Sequence, residues 1–148
     1  MAAAGAQACD SLDELLAQAD VVSLHRPSRP DTRHMINLAA LERMKPAAIL
    51  VNTARADLID TAALVNALKE GRIAGAGLDV FDQEPPLADT PLHALPNVVL
   101  TPHSAGSTDE ALRETAEQCA SQIIEVLAGR RPPHLVNAQV WERRRLMA

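Results

Sequence analysis

The sequence predicts an α/β fold built on a parallel sheet, and three observations carry that expectation. Four short β-type runs recur along the chain: ADVVSLH (19–25), AILVNTA (48–54), GAGLDVF (75–81) and NVVLTPH (97–103). Helical patterns separate most of them. The runs are apolar nearly throughout instead of alternating with polar residues, which is the pattern of strands covered on both faces of a parallel sheet.

Each helix has its own start and stop signals. In SLDELLAQ, Ser11 is followed three residues later by Glu14, a capping box that opens a helix. Between the second and third runs, DTAALVNALKEGR sets Ala63, Leu64, Ala67 and Leu68 on one face and stops at Gly71. The last helix is expected from Ser107, with Glu110 three residues on. Its stripe of Leu112, Ala116, Cys119, Ile123, Val126 and Leu127 reads as a packed, core-facing helix ending at Gly129.

Composition limits the function classes. The chain has 148 residues, 47% of them hydrophobic, enough for one core that buries roughly 70% of the extended-chain surface. With a net charge of −5 and only Phe81 and Trp141 as aromatics, it has neither the basic footprint nor the stacking side chains of a nucleic-acid binder. Cys9 and Cys119 form no CxxC pair and no metal-ligand grouping, so they read as two buried free thiols in a reducing compartment, and no metal site is expected. The start MAAAGAQAC lacks the basic flank and long apolar run of a signal peptide, and no apolar run approaches the ~18 residues of a membrane span. A cytoplasmic protein without a membrane partner is the expectation.

In an open parallel sheet, ligands bind beyond the carboxyl ends of the strands. Arg55 directly follows the second run. The third run leads into DQEPP, where Pro85 and Pro86 forbid a helix and are expected to hold Glu84 on a stiff, extended segment. The fourth run ends in TPHSAGST, with His103 just ahead of a helix start. Three successive strands thus deliver an arginine, a carboxylate and an imidazole to one rim. A guanidinium grips a planar carboxylate through two parallel hydrogen bonds and keeps its charge. Histidine exchanges protons near neutrality, and a buried carboxylate beside it orients the ring and favours its protonated form. The combination suits interconversion of a hydroxyl and a carbonyl next to a carboxylate.

The segments ADVVSLHRPSRPDTRHMIN, MKPAAILVNTARADLID, GAGLDVFDQEPP and LPNVVLTPHSAG resemble, in order and spacing, the nucleotide-binding domain of the D-isomer-specific 2-hydroxyacid dehydrogenases, over about residues 11–137. The resemblance implies a partial Rossmann-type sheet, strands 3 to 6 of that domain, with NAD or NADP as cofactor and a small 2-hydroxy or 2-keto acid as substrate. It implies that Arg55 binds the substrate, His103 is the general acid/base and Glu84 orients His103. It places Pro27 and Thr32 in the loop lining the cofactor, Arg26 in a neighbouring contact, Thr53, Ala54 and Arg55 on the nicotinamide side, Asp79 on the nicotinamide carboxamide, and His103, Ala105 and Gly106 over the ring. A homodimer through this domain is implied as well. His25, His34 and His93 match no catalytic position and read as surface or capping residues.

Three departures from the family pattern stand out. Ala47 and Ala56 occupy positions where glycine is common, and alanine costs about 1 kcal/mol wherever the backbone needs a positive φ. No GxGxxG occurs, and GAG at 75–77 opens a strand rather than a helix, so it is no phosphate loop. The chain therefore reads as the carboxyl-terminal portion of a dehydrogenase: residues 1–10 a leader, 11–137 a partial NAD(P)-binding domain, 138–148 a charged tail. In a sheet ordered 3-2-1-4-5-6, two strands would separate the first run from the second. That leaves direct pairing of those two runs, an exposed edge seeking another chain, or a longer protein. A non-catalytic module acting in dimerisation or partner binding is the alternative function.

Overall fold

The computed structural model describes residues 5–143. The chain divides into two compact units, residues up to Ala105 and residues from Gly106 onward. The first holds helix α1 (Leu12–Gln18), strand β1 (Val21–Leu24), helix α2 (Leu38–Arg43), strand β2 (Ile49–Asn52), helix α3 (Thr61–Lys69), strand β3 (Gly75–Leu78) and strand β4 (Val98–Leu100). Short 3-10 turns lie at Ala56–Leu58 and Pro91–Ala94. The second unit holds helix α4 (Asp109–Leu127) and a 3-10 helix at Ala138–Arg143.

The four strands form one parallel sheet in the order β1-β2-β3-β4, which bears out the α/β class. Direct pairing of the first two runs is the outcome observed: Val21 lies opposite Ile49 and Leu24 opposite Asn52. Chain neighbours are also sheet neighbours, as along one arm of a doubly wound sheet. The strands are shorter than the apolar runs, because the last residues of each run turn out of the ladder to form the rim.

Local signals set the helices. Ser11 caps α1 by accepting from the Glu14 N–H at 3.1 Å, while Glu14 reaches back to the Asp10 N–H at 2.9 Å. Asp60 caps α3 through the Ala63 N–H, and α3 stops where Gly71 takes φ +66°. Leu64, Val65, Ala67 and Leu68 of α3 are buried with Leu41, Leu50, Leu58 and Ile73 in the core. Helix α2, capped by Asn37, is an element the sequence pattern did not single out.

Coverage of the sheet differs from the expectation of two protected faces. Val22, Leu24, Leu50, Ala76 and Leu78 are buried, whereas Val21, Ile49 and Val99, which point the other way, are 58%, 42% and 68% exposed. Right-handed crossovers that add strands always in one direction place their helices on one face of the sheet. Among the described residues of the first unit no helix covers the other face. Helix α4 also departs from expectation: it starts one residue later than Ser107, with Thr108 as cap, and none of its residues is buried. Its stripe is a demand for a partner that its own unit does not supply. Cys9 is half-buried and Cys119 exposed, so neither is the buried small residue expected. Residues 138–143 of the expected tail form the 3-10 helix, while 144–148, like 1–4 of the expected leader, lie outside the described residues.

Neither Ala47 nor Ala56 adopts a positive φ, so the alanine substitutions carry no left-handed strain; among the described residues His34 (+50°) and His103 (+53°) are the non-glycine residues there. Gly75 has a different reason to be glycine. A Cβ there would lie 2.8 Å from the Asn97 carbonyl oxygen, whereas one at Gly77 would meet nothing nearer than Val51 Cγ2 at 3.9 Å. Gly75→Ala is expected to destabilise the fold by about 1–3 kcal/mol, and Gly77→Ala by less than about 0.5 kcal/mol. Urea midpoints at unchanged slope measure both, and equal effects would remove the argument from close approach.

Candidate active site

The register places the rim. Leu24, Asn52, Leu78 and Leu100 lie in one row across the sheet, so the residues just after them emerge side by side. These are His25, Thr53, Asp79 and Thr101. Strand spacing of about 4.8 Å sets their separations. The segments carrying Arg55 and His103 therefore leave the sheet about 10 Å apart, two spacings.

His103 and Glu84 meet directly. The His103 Nδ1 lies 2.7 Å from Glu84 Oε2, and Glu84 Oε1 accepts the Phe81 N–H at 3.1 Å. An ionised carboxylate only accepts, so Nδ1 carries the proton and Nε2 is left free to face a reactant. The hydrogen bond from His103, then that from the Phe81 amide, holds the Glu84 carboxyl below its ordinary value, against a smaller opposing effect of burial. The pair is not buried as expected: the two side chains are 49% and 39% exposed, because they sit on the rim where no other element of their unit covers them. The 82–85 segment is bent, not extended, and the Glu84–Pro85 peptide is cis.

Arg55 stands elsewhere on the rim. Its Nη1 donates to the Ala54 carbonyl at 2.6 Å, and among the described residues no hydrogen bond joins it to Glu84 or His103. With His25, Arg26, Pro27, Ser28 and Ala54 it lines an open cavity of about 530 Å³. Arg26 faces Asp31 at 3.6 Å. Two guanidiniums around one cavity fit the anionic oxygens of a dinucleotide or an acid. A more enclosed cavity of about 350 Å³ lies under the 80–92 loop; Ala56, Gln83 and Pro86 help line it, but Arg55, Glu84 and His103 do not.

The other expected contacts divide. Thr53 is exposed. Thr32 is 2% exposed and spends its hydroxyl inside its own loop, accepting the Arg29 N–H and facing the carbonyls of Pro27 and Arg29. Asp79 is also 2% exposed, bonded to Thr101, Ser104 and Ala105. Burial works to raise its carboxyl value, and the bonds from Thr101, Ala105 and Ser104 with the field of His103 overcome it, so the net shift is downward. Gly106, exposed, opens the second unit.

His25, His34 and His93 are exposed, as surface residues are. His25 hydrogen-bonds Ser23 at 2.9 Å, and the His34 amide donates to the Asp57 carbonyl at 2.7 Å.

Sequence reasoning missed Asn52. It is 1% exposed, donates from Nδ2 to the Arg55 carbonyl at 2.8 Å, and accepts the Ala54 N–H at 3.0 Å. It thereby folds the turn that carries Arg55. The available signal was a polar residue two positions after Leu50, on the core side of the strand.

The sign of the Glu84 shift makes a prediction. A carboxyl whose folded value is depressed contributes stability that is complete above its unfolded value, and that contribution is lost as pH falls through the lower folded value. For Glu84 the loss begins below the ordinary value of 4.5. Glu84→Gln is expected to flatten the acid limb of a melting-temperature profile below about pH 4.5 and leave the neutral region parallel to the wild type. An acid limb of unchanged slope would show that the bond does not hold in solution.

Known proteins match this arrangement. The description D-isomer specific 2-hydroxyacid dehydrogenase, NAD binding domain, fits residues 1–105. The chain is 52% identical over 135 residues to a glyoxylate reductase of Thermofilum pendens, covering 91% of this chain and 40% of that protein. It is 47% identical over 133 residues to a D-3-phosphoglycerate dehydrogenase of Methanocaldococcus jannaschii, covering 90% and 25%. The NAD complexed form of a D-isomer specific 2-hydroxyacid dehydrogenase from Lactobacillus delbrueckii ssp. bulgaricus superposes with a TM-score of 0.76 at 40% identity, over 84% of this chain and 42% of that one. Sequence, fold and rim thus agree, and the chain belongs to the D-isomer specific 2-hydroxyacid dehydrogenases, matching their NAD-binding domain.

Proposed function

We propose that the protein carrying this chain is an NAD-dependent oxidoreductase that interconverts a small 2-hydroxy acid and its 2-keto acid, glyoxylate and hydroxypyruvate being the first substrates to try. NADP is the variant cofactor. The observation that carries the reading is the 2.7 Å bond from His103 Nδ1 to Glu84 Oε2. It leaves one ring nitrogen for the reactant and fixes the tautomer through the other.

In this reading His103 Nε2 gives a proton to the carbonyl oxygen as the keto acid is reduced and takes one from the hydroxyl in the reverse direction. Glu84 keeps the ring oriented and offsets the charge of the imidazolium. Arg55 clamps the carboxylate of the acid and turns its 2-carbon toward the nicotinamide face. A nicotinamide dinucleotide, when bound, supplies or accepts the hydride. Arg26, Pro27, Thr53 and Ala54 would line its site from the β1 and β2 sides, Asp79, His103 and Ala105 from the β3 and β4 side, and Thr32 would shape the β1 loop.

Residues 11–137 are read as part of that NAD-binding domain. Pairing of two copies is proposed on the strength of the exposed stripe of α4, where Leu112, Ile123, Ile124 and Leu127 are each more than half exposed. A reducing, cytoplasmic setting is proposed from the two unpaired cysteines.

Oxidation of NADH in the presence of glyoxylate or hydroxypyruvate tests the reading. His103→Gln is expected to lower kcat/KM by about 10²–10⁴-fold, and Arg55→Lys is expected to raise KM, because an ammonium cannot form the bidentate clamp. A protein that forms a dimer, binds neither reactant and never oxidises NADH would instead support the alternative, a non-catalytic module of dimerisation or partner binding.

A further inference from the structure

Asp79 is the one carboxylate of the rim that is fully buried, and its partners all come from a single five-residue turn. Its backbone still belongs to the sheet, with the Asp79 N–H donating to the Asn52 carbonyl at 3.0 Å. Its side chain crosses to the neighbouring strand end. Oδ1 accepts the Ser104 N–H at 2.9 Å and the Thr101 hydroxyl, and Oδ2 accepts the Ala105 N–H at 2.9 Å. Between these donors lie Pro102 and His103, and His103 has φ +53° and returns its own N–H to the Thr101 carbonyl at 3.0 Å.

Successive amides converge on one anion when the backbone between them changes hand, which is the geometry of an anion nest. Here the anion is internal to the chain. The left-handed conformation of His103 is uncommon for a non-glycine residue and persists where its surroundings over-determine it. The carboxylate of Asp79 supplies that determination, since three of its roughly four acceptor positions are filled from residues 101–105.

We infer that Asp79 is a positioning residue: it fixes the Thr101–Ala105 turn around its carboxylate and so holds His103 where its ring meets Glu84. The inference rests on the proposed acid–base role of His103, and it differs from the contact with a nicotinamide carboxamide that the family resemblance implied for Asp79. The downward shift of the Asp79 carboxyl agrees, because the same hydrogen bonds favour its ionised form against burial. The charged groups facing His103 are Glu84 on the 81–84 bend and Asp79 at the end of β3, so the imidazole stands between two carboxylates, one bonded to its ring and one bonded to the residues on either side of it.

The test is NMR on the purified chain without cofactor, comparing wild type with Asp79→Ala, Asp79→Asn and Glu84→Gln. Two signals are read: amide hydrogen exchange at Ser104 and Ala105, and the low-field resonance of the His103 Nδ1 proton. In Asp79→Ala, exchange at both amides is expected to rise about tenfold or more while Leu50 and Val51 in β2 keep their protection, and the Nδ1 signal is expected to vanish. Asp79→Asn, which keeps one acceptor oxygen, should fall between. Unchanged exchange and a retained Nδ1 signal in folded Asp79→Ala overturn the inference. If that variant does not fold, Thr101→Val removes one arm of the brace alone, and the same two signals decide, with faster exchange at Ser104 and Ala105 supporting the inference and unchanged exchange overturning it. Glu84→Gln separates this inference from the reading beneath it. It should abolish the Nδ1 signal and leave Ser104 and Ala105 protected, whereas a signal that survives Glu84→Gln overturns the histidine–carboxylate pair and leaves the brace standing.

Discussion

The parallel register of the four strands is the constraint on which the site depends. Because Leu24, Asn52, Leu78 and Leu100 form one row, residues 22 to 76 positions apart in sequence leave the sheet from a common edge. Side chains can then cooperate without any long loop to carry them. Asp79 and Thr101 bond each other because each is the first residue past that row on adjacent strands. A slip of one residue in either pairing would turn Asn52 and Leu78 to the opposite face. It would expose the core and scatter the rim in the same step, so stability and function select the same register.

The rim itself is built by carboxylates acting on backbone as much as on side chains. Glu84 takes the Phe81 amide with one oxygen and His103 with the other. Asn52 ties its side chain to main-chain groups of its own turn, at Ala54 and Arg55, whereas Asp79 reaches the main chain of the neighbouring strand's turn, at Ser104 and Ala105. Such bonds cost little conformational entropy, because the strands already hold the donors' neighbours in place. They also explain how an ion pair that is about half exposed keeps a defined geometry. Its two members are each anchored at the backbone, so the weak attraction expected of charges in water is not asked to order them.

Most of the fold was legible because its signals are local. The cap at Ser11, the 3.6-residue stripe of Leu64 and Leu68 and the stop at Gly71 each act within a few residues of themselves. The four strands were found as apolar runs, though their ends were not, since an apolar run does not say where the ladder stops. The stripe of α4 was read correctly as a pattern and wrongly as burial: periodicity states what a helix face would cover, and only a packed neighbour makes it core. The joint placement of Arg55, Glu84 and His103 on one rim followed from their positions after successive strands. The roles of Asn52 and Thr32 did not, because a buried polar residue is identified by its partners, and those partners are main-chain groups that every sequence has. His103 in the left-handed region was equally invisible, since nothing in TPHSAG distinguishes a histidine that must turn from one that need not.

The two ends of the proposed chemistry sit on different kinds of support, and that division follows from the sheet. The anchor side, at β1 and β2, is open and basic: Arg26 and Arg55 border a cavity whose walls are loops. The proton-handling side, at β3 and β4, is braced by Asp79 and Glu84 and carries the only strained residue of the rim. An anchor gains from reach, since a guanidinium on a flexible stem can follow a carboxylate over several ångströms. A proton donor gains from rigidity, because transfer tolerates little error in distance or direction. Two strand spacings, about 10 Å, keep the functions apart. Long side chains would close that gap, so that a small acid between them would have its carboxylate gripped from the adaptable side and the adjoining reacting carbon presented to the rigid one.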